Sequence, residues 1–289
     1  MHSAYSYHDT LALSRKIDWQ IEDVLGEGGI DFSKAFLPES LARVEPLTFL
    51  SDEERRTLNH IRGHSYLCLF GLVEEFILPF VLDHARARLT ADDIEVRALL
   101  QFAAEEAKHI HLFKRFAEEF HKGFGTGCGV IGPAAAVAEE VLSHSQLGVA
   151  LAILHIEWMT QRHYTDSVTG DDTIDDKFKS LLKHHWMEEA QHAKLDTLIV
   201  EAIAGRLSRA DVQQGLEDYG HIGRVLDDGL RQQARLDLES FQEATSRELS
   251  ALERMAFLEV QERSYRESFL EAGATHPKFL QTVSQLQAL

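Results

Sequence analysis

Thiols are scarce in this 289-residue chain: Cys68 and Cys128 stand too far apart in sequence for a Cys-x-x-Cys metal or redox pair. So few cysteines, with no secretion signal, point to a reducing cytosol rather than a disulfide-stapled fold. Positive charge is scarce too, with 29 Lys and Arg against 47 Asp and Glu and a net charge of −18. That balance excludes the basic face that nucleic acid or an anionic membrane surface demands. Long apolar runs are missing. The longest, residues 66–82, is interrupted by Glu74 and Glu75 and does not read as a membrane span. The opening Met-His-Ser-Ala-Tyr-Ser-Tyr has no apolar core of signal-peptide type. Strand-like alternation is absent, and prolines number only five. These absences predict a soluble, cytoplasmic, all-α protein, with residues 1–289 forming a single domain.

What is present is helical punctuation. A helix is expected over residues 10–25, then a wrap over 26–46 punctuated by Gly and Pro. Ser51-Asp-Glu-Glu54 has the capping-box arrangement and opens a helix running to about Arg88. Pro79 inside it cannot donate to the carbonyl of Glu75, so a kink is expected there. Thr90-Ala-Asp-Asp93 starts a second helix that reaches about Lys122. The glycine-rich segment 123–129 lacks the Gly-Lys-Ser/Thr ending of a phosphate loop and reads as a flexible connection. Pro133 suits the first turn of a third helix, to about Ser167, and a fourth ends near Gly205. The bundle core is thus expected at about 52–205. Ser208-Arg-Ala-Asp211 opens a C-terminal helical extension, about 208–289, with a further helix over 250–271 and a short one after Pro277.

Two near-identical pentapeptides carry the functional signal: Glu105-Glu-Ala-Lys-His109 and Glu188-Glu-Ala-Gln-His192. Each contains a Glu-x-x-His step, Glu106 to His109 and Glu189 to His192, which sets a carboxylate and an imidazole on one helix face. Glu74 precedes Glu106 by the same interval as Glu157 precedes Glu189. One glutamate from each of two helices and a Glu-x-x-His from each of two others make the inward ligand set of a dinuclear carboxylate centre in a four-helix bundle.

The candidate ligands lie on the seams expected to be buried. Leu99, Phe102, Glu106, His109, Phe113, Phe116 and Phe120 follow steps of three and four, as do Phe178, Leu182, His185, Glu189, His192, Asp196, Ile199 and Ile203. Leu67, Phe70, Glu74, Ile77 and Val81 form a third such row, and Ala150, Ile153, Glu157, Thr160 and Tyr164 a fourth. Uncompensated carboxylates on apolar seams would cost several kcal/mol each. Two divalent ions would neutralise four of them. Glu75 rivals Glu74, but the matched interval favours Glu74. Glu105 and Glu188 fall off the seams and are expected either beside the ligands or facing solvent.

His185 lies one turn before Glu189 on the same seam, where the other half of the repeat has Phe102, so it is read as a third imidazole ligand. His184 points elsewhere. His60, His64, His111, His155 and His163 are assigned to the surface or to positions behind the ligands, and Asp196 is a candidate partner for His192. Phe70, Phe102, Phe113, Trp158 and Trp186 could line an apolar pocket, though aromatics beside helix seams are core by default.

With these residues the chain resembles the ferritin-like non-haem diiron oxygenases, and within them the p-aminobenzoate N-oxygenase family. In that family the last bundle helix bears an extra His one turn before its Glu-x-x-His. The resemblance covers roughly residues 55–205 and implies a ferritin-like four-helix bundle with additional N- and C-terminal helices. Its implied metal ligands are Glu74, Glu106, His109, Glu157, His185, Glu189 and His192, with no catalytic residue beyond them. It implies two Fe ions in an oxygen-activating dinuclear centre, with dioxygen, a small organic substrate such as an arylamine and an electron donor as partners, in a homodimer. The ligand types suit iron or manganese better than zinc or calcium. Two other functions share parts of this pattern: an iron-storage or peroxidase-type ferritin-like protein, and a metal-free helical partner-binding protein.

Overall fold

A computed structural model describes residues 5–26, 29–90 and 92–289. Its elements are α1 (Tyr7–Ser14), α2 (Ile21–Leu25), α3 (Glu39–Ala42), α4 (Asp52–Arg86), α5 (Asp93–Phe124), α6 (Ala134–Leu142), α7 (Gln146–His163), α8 (Asp176–Ala204), α9 (Arg209–Thr245), α10 (Ala251–Arg266), α11 (Ala272–Ala274) and α12 (Pro277–Gln287). A π turn, Tyr164–Val168, extends α7, and a second, Glu267–Glu271, joins α10 to α11. Among the described residues the only extended pairing is a single bridge between Ala35 and Ile174. The all-α class expected from the sequence is what the chain adopts.

Helix starts follow side-chain chemistry. Ser51 accepts from the Glu54 amide while Glu54 accepts from the Ser51 amide, the reciprocal pair anticipated at α4. Ser208 with Asp211 opens α9 in the same way, and Ser250 with Glu253 opens α10. Asp92 and Asp175 cap α5 and α8. Helix α4 continues through Pro79 to Arg86.

Two stretches expected as single helices are divided. The third bundle helix breaks between α6 and α7 because Ser145 starts a new one, its hydroxyl accepting from the Gly148 amide. The 10–25 segment divides into α1 and α2, and the Trp19 side chain between them is buried. The helix expected over 250–271 is α10 plus the second π turn.

Helices α4 and α5 form one closely packed pair and α7 and α8 the other, with α5 against α8. Short links within each pair make the partners antiparallel. The long link from α5 to α7 is anchored on α9: Gln233 accepts from the Ile131 amide and donates to the Gly129 carbonyl, and Ser240 accepts from the Gly129 amide. The glycine-rich segment is therefore partly pinned, not simply a free connection. Helix α9 also covers α4 and α7. At Gly215 a Cβ would come within 2.7 Å of Leu147, so only glycine permits that approach of α9 to α7.

Every residue of the four seams is buried, polar ones included. Helix α7 is buried on nearly all sides, which explains its unbroken apolar run. Helix α4 is long and apolar enough to cross a membrane by length and composition, yet 67% of that apolar window is buried inside the protein.

The C-terminal extension is joined to the bundle by buried polar groups. Asp237 on α9 accepts from Ser65, Gln233 and Tyr265 and lies 3.5 Å from the Arg62 guanidinium, which stacks 3.4 Å over the Tyr265 ring. Burial lifts the Asp237 carboxyl to about 6 despite Arg62. The expected placement of several histidines is corrected here. His163 accepts from the Tyr66 hydroxyl and donates to the Ser268 carbonyl, while His155 accepts from Tyr219 and donates to the Phe269 carbonyl. Both are buried on faces covered by the extension. His60 bonds the Lys34 carbonyl and His64 packs under Phe120, also buried, whereas His111 is exposed. Cys68 and Cys128 are free thiols.

Two outcomes follow from these buried groups. Burial lowers His155 and His163 to about 4 each, so the folded protein resists protons that the unfolded chain accepts near pH 6.5. Their contribution is complete above about pH 6.5 and is lost as pH falls towards 4, at up to about 1.4 kcal/mol per pH unit for each. Urea unfolding between pH 7 and 5 measures that slope, and His163→Gln should flatten it. Asp237→Ala leaves the Arg62 charge buried without its counterion and should cost about 3–5 kcal/mol in the same assay at pH 7.

Candidate metal centre

Glu74 projects from α4, Glu106 and His109 from α5, Glu157 from α7, and His185, Glu189 and His192 from α8. All seven side chains are buried. Six of them converge. One ligand atom each from Glu74, His109, His185 and Glu189 lie within 4.8 Å of one another, as do atoms from Glu106, His109, Glu189 and His192. Glu189 spans the two groups. Its Oε1 lies 3.0 Å from His109 Nδ1 and 2.9 Å from His185 Nε2, and its Oε2 lies 3.2 Å from His192 Nδ1. Glu74 Oε1 is 3.3 Å from His185 Nε2, and Glu106 Oε1 is 2.8 Å from His192 Nδ1. Glu157, outside both groups of four, shares a hydrogen bond with Glu189 from the α7 side. Glu75 turns away into an ion pair with Lys114 at 3.1 Å.

The first residue of each pentapeptide is placed by the structure in a way its local helix face did not disclose. His109 Nε2 donates to Glu188 at 2.8 Å, and His192 Nε2 donates to Glu105 at 2.9 Å. The crossing is reciprocal, as two antiparallel helices require. Each bond holds Nε2 outward and turns Nδ1 towards the carboxylates of the cluster, the orientation a metal ligand needs. The repeated Glu before each Glu-x-x-His was the available signal. Asp196, expected as a partner of His192, is instead buried with both oxygens unpaired. Three further residues were not anticipated: Ser14 and Gln101 donate to Glu105, and Lys108 pairs with Glu188.

Electrostatics follow from the crowding. Burial opposes charge on His109, but Glu188, Glu189 and Glu74 more than reverse it and hold its pKa well above the imidazole norm. His192 is raised against burial by Glu189 and Glu105, and His185 by Glu189 and Glu74. Burial likewise opposes the Glu189 charge, yet His185 and His192 hold it well below the usual carboxylate range. Burial, repulsion from Glu189 and the hydrogen bond to Glu189 raise the Glu157 carboxyl well above the usual carboxylate range. A divalent ion entering this set must displace protons from the imidazoles.

The residues present fit a dinuclear metal centre. Glu74 Oε2, both oxygens of Glu106, Glu157 Oε2, Glu189 Oε1 and His109 Nδ1 are buried without a hydrogen-bond partner. Close approach without hydrogen-bond alignment is what lone pairs show when they converge on a shared point. Oxygen and imidazole donors without thiolate suit iron or manganese, and two divalent ions balance four carboxylates. Phe70 and Phe113 meet the His185 ring edge-on at 5.2 and 5.0 Å, and Phe102 lies 4.2 Å from the His192 ring, so apolar rings wall the cluster. Trp158 and Trp186 stack elsewhere, on His276 and Tyr164. His184 is tied to the Ser180 carbonyl. An apolar cavity of about 80 Å³ lined by Leu69, Val73, Ile156, Met159 and Leu230 includes none of the seven residues.

No protein-family model and no curated protein matches the sequence. Solved structures do resemble the fold. One is a variant R2-like ligand-binding oxidase with an aerobically reconstituted Fe/Fe cofactor, 13% identical, covering 96% of this chain and 99% of its own, with a TM-score of 0.51. A variant with an anaerobically reconstituted Mn/Fe cofactor is 14% identical over 96% of this chain and 99% of its own, at 0.52. Another, aerobically reconstituted with Mn/Fe, is 15% identical over 96% and 94%, at 0.51. At such identity the likeness is one of fold, all-α and ferritin-like.

The unpaired oxygens make a stability prediction. Glu106→Leu removes two of them and, because His192 keeps Glu105 and Glu189 as partners, should raise metal-free stability by about 1–3 kcal/mol. The same variant should lose the stabilisation that Mn(II) gives the unaltered protein. Thermal unfolding with and without Mn(II) measures both.

Proposed function

We propose that this protein is an oxidoreductase that uses dioxygen, with Glu74, Glu106, His109, Glu157, His185, Glu189 and His192 as the ligands of two iron ions or of a manganese and an iron. The observation that carries the reading is the buried cluster of carboxylates and imidazoles, six of whose atoms have no hydrogen-bond partner. A metal-free helical protein would keep those groups at a cost of several kcal/mol that the imidazoles offset only in part. The fold is shared with oxidases reconstituted with Fe/Fe and Mn/Fe cofactors, which supports the same choice of ions.

A bound dinuclear centre of this kind supplies the activation of dioxygen. The chain's own residues supply geometry and dryness. Glu188 and Glu105 orient His109 and His192. Phe70, Phe102 and Phe113 exclude water around the imidazoles, so charges inside act at low dielectric. Asp196 lies one turn beyond His192, its carboxyl raised by burial. Glu189, which reaches both groups, would contribute a ligand to each.

The reaction we favour is oxygenation of a small organic substrate, with an arylamine as the first class to test. That choice rests on the three-imidazole ligand set, His185 included, and on the family resemblance. An external electron donor, a homodimer and a cytoplasmic location belong to the same proposal. Iron storage or peroxide removal would use the same residues but yield mineral or water.

Ferrous titration of chelator-stripped protein under anaerobic conditions should reach two ions per chain, and a load well below two would remove the reading. Oxygen and a reductant should then yield an oxygenated product from an arylamine panel, whereas mineral or water alone would favour storage or peroxidase activity. His185→Ala should lower the load by one ion per chain, and an unchanged load would return His185 to a packing role.

A further inference from the structure

The two pentapeptides differ at one position, Lys108 against Gln191. That position puts a positive charge beside one half of the cluster and a neutral amide on the other. Lys108 Nζ lies 2.5 Å from Glu188 Oε1, and the other oxygen of Glu188 accepts from His109. The ammonium is held from three sides: it also donates to the Trp19 carbonyl at 3.4 Å and sits 3.8 Å over the Trp19 ring. Trp19 in turn stacks on His109, its ring nearly parallel at 10°. On the other half, Glu105 holds His192 with help from Ser14 and Gln101, both uncharged. Gln191 takes no part there, its side-chain oxygen accepting from Lys194 at 3.3 Å. No lysine or arginine forms an ion pair with Glu105 among the described residues.

We propose that Lys108 is a positioning residue for one metal of the pair: by anchoring Glu188 it fixes the His109 imidazole with Nδ1 towards the cluster, a cationic brace that the His192 half lacks. The inference rests on the dinuclear reading above and deepens it. Glu188 is only 1% exposed, so without Lys108 its charge would be buried with His109 as its one remaining partner. The carboxylate would then be free to shift, and the imidazole with it. Groups that orient a ligand in this way typically set metal affinity by about 10–100-fold. Two halves braced so differently should bind their ions in two separable steps. The brace also gives the N-terminal segment a role, because Trp19 holds Lys108 and Ser14 holds Glu105 from outside the four helices.

The test is a titration of metal-free protein with Mn(II) alone, reading free Mn(II) by electron paramagnetic resonance. Lys108 is 22% exposed, so its replacement need not disturb packing. In Lys108→Gln, which copies the second pentapeptide, one binding step should weaken about 10–100-fold while the other stays within about twofold. Lys108→Arg, which keeps the charge and can still reach Glu188, should restore the weakened step, a rescue that loss of packing alone would not show. If both steps stay unchanged in Lys108→Gln, or both weaken equally, the proposal is overturned. Should Lys108→Gln not fold, Lys108→Arg decides: both steps within about threefold of the unaltered protein support the brace, and a selective loss contradicts it. Unaltered protein that takes up no Mn(II) in the titration overturns the metal reading itself. Unaltered protein that binds two ions beside an unaffected Lys108→Gln overturns the role of Lys108 alone.

Discussion

Mutual neutralisation of buried carboxylates and imidazoles in the middle of four apolar seams is the constraint on which the rest of this structure depends. Glu74, Glu106, Glu157 and Glu189 are inside the bundle, where each charge without a partner is costly. His109, His185 and His192 offset part of that cost, and Glu189 lies among all three. Several oxygens remain unpaired even so. A chain that retains such groups in its core gives up stability, and the expected return is function at the same place.

The surrounding architecture is arranged to keep the cluster dry and still. Apolar residues fill both ends of each seam, and phenylalanine rings close around the imidazoles. Helix α9 and the C-terminal helices cover the outer faces of α4 and α7, so the helices bearing Glu74 and Glu157 have little exposed surface. That cover is itself fixed by polar pairs, Arg62 with Asp237 and the two histidines of α7 with the second π turn. On the opposite side the N-terminal segment reaches in through Ser14 and Trp19.

Much of this was legible in the sequence because helical periodicity reports burial directly. The seam rows were predicted residue by residue and every member is buried, since a three-and-four spacing of apolar groups has few other uses. Capping boxes located the starts of α4 and α9 for an equally local reason. What was not legible depends on register between helices. Glu105 and Glu188 lie off their own seams, and only the antiparallel alignment of α5 with α8 brings each to the other's histidine. His155 and His163 pointed away from the seam, and nothing local revealed that α9 and the second π turn would cover them. The breaks before α7 and α2 arose where a cap-forming Ser145 or a buried Trp19 outweighed propensity.

The central claim is that these converging side chains hold two metal ions. Crystals of protein reconstituted with ferrous iron, measured at the iron absorption edge, test it most directly. The account predicts two anomalous peaks about 3.5–4 Å apart, one among Glu74, His109, His185 and Glu189 and the other beside Glu106 and His192, with Glu189 between them. An absence of anomalous density within the bundle, or a single peak at the surface, would contradict it.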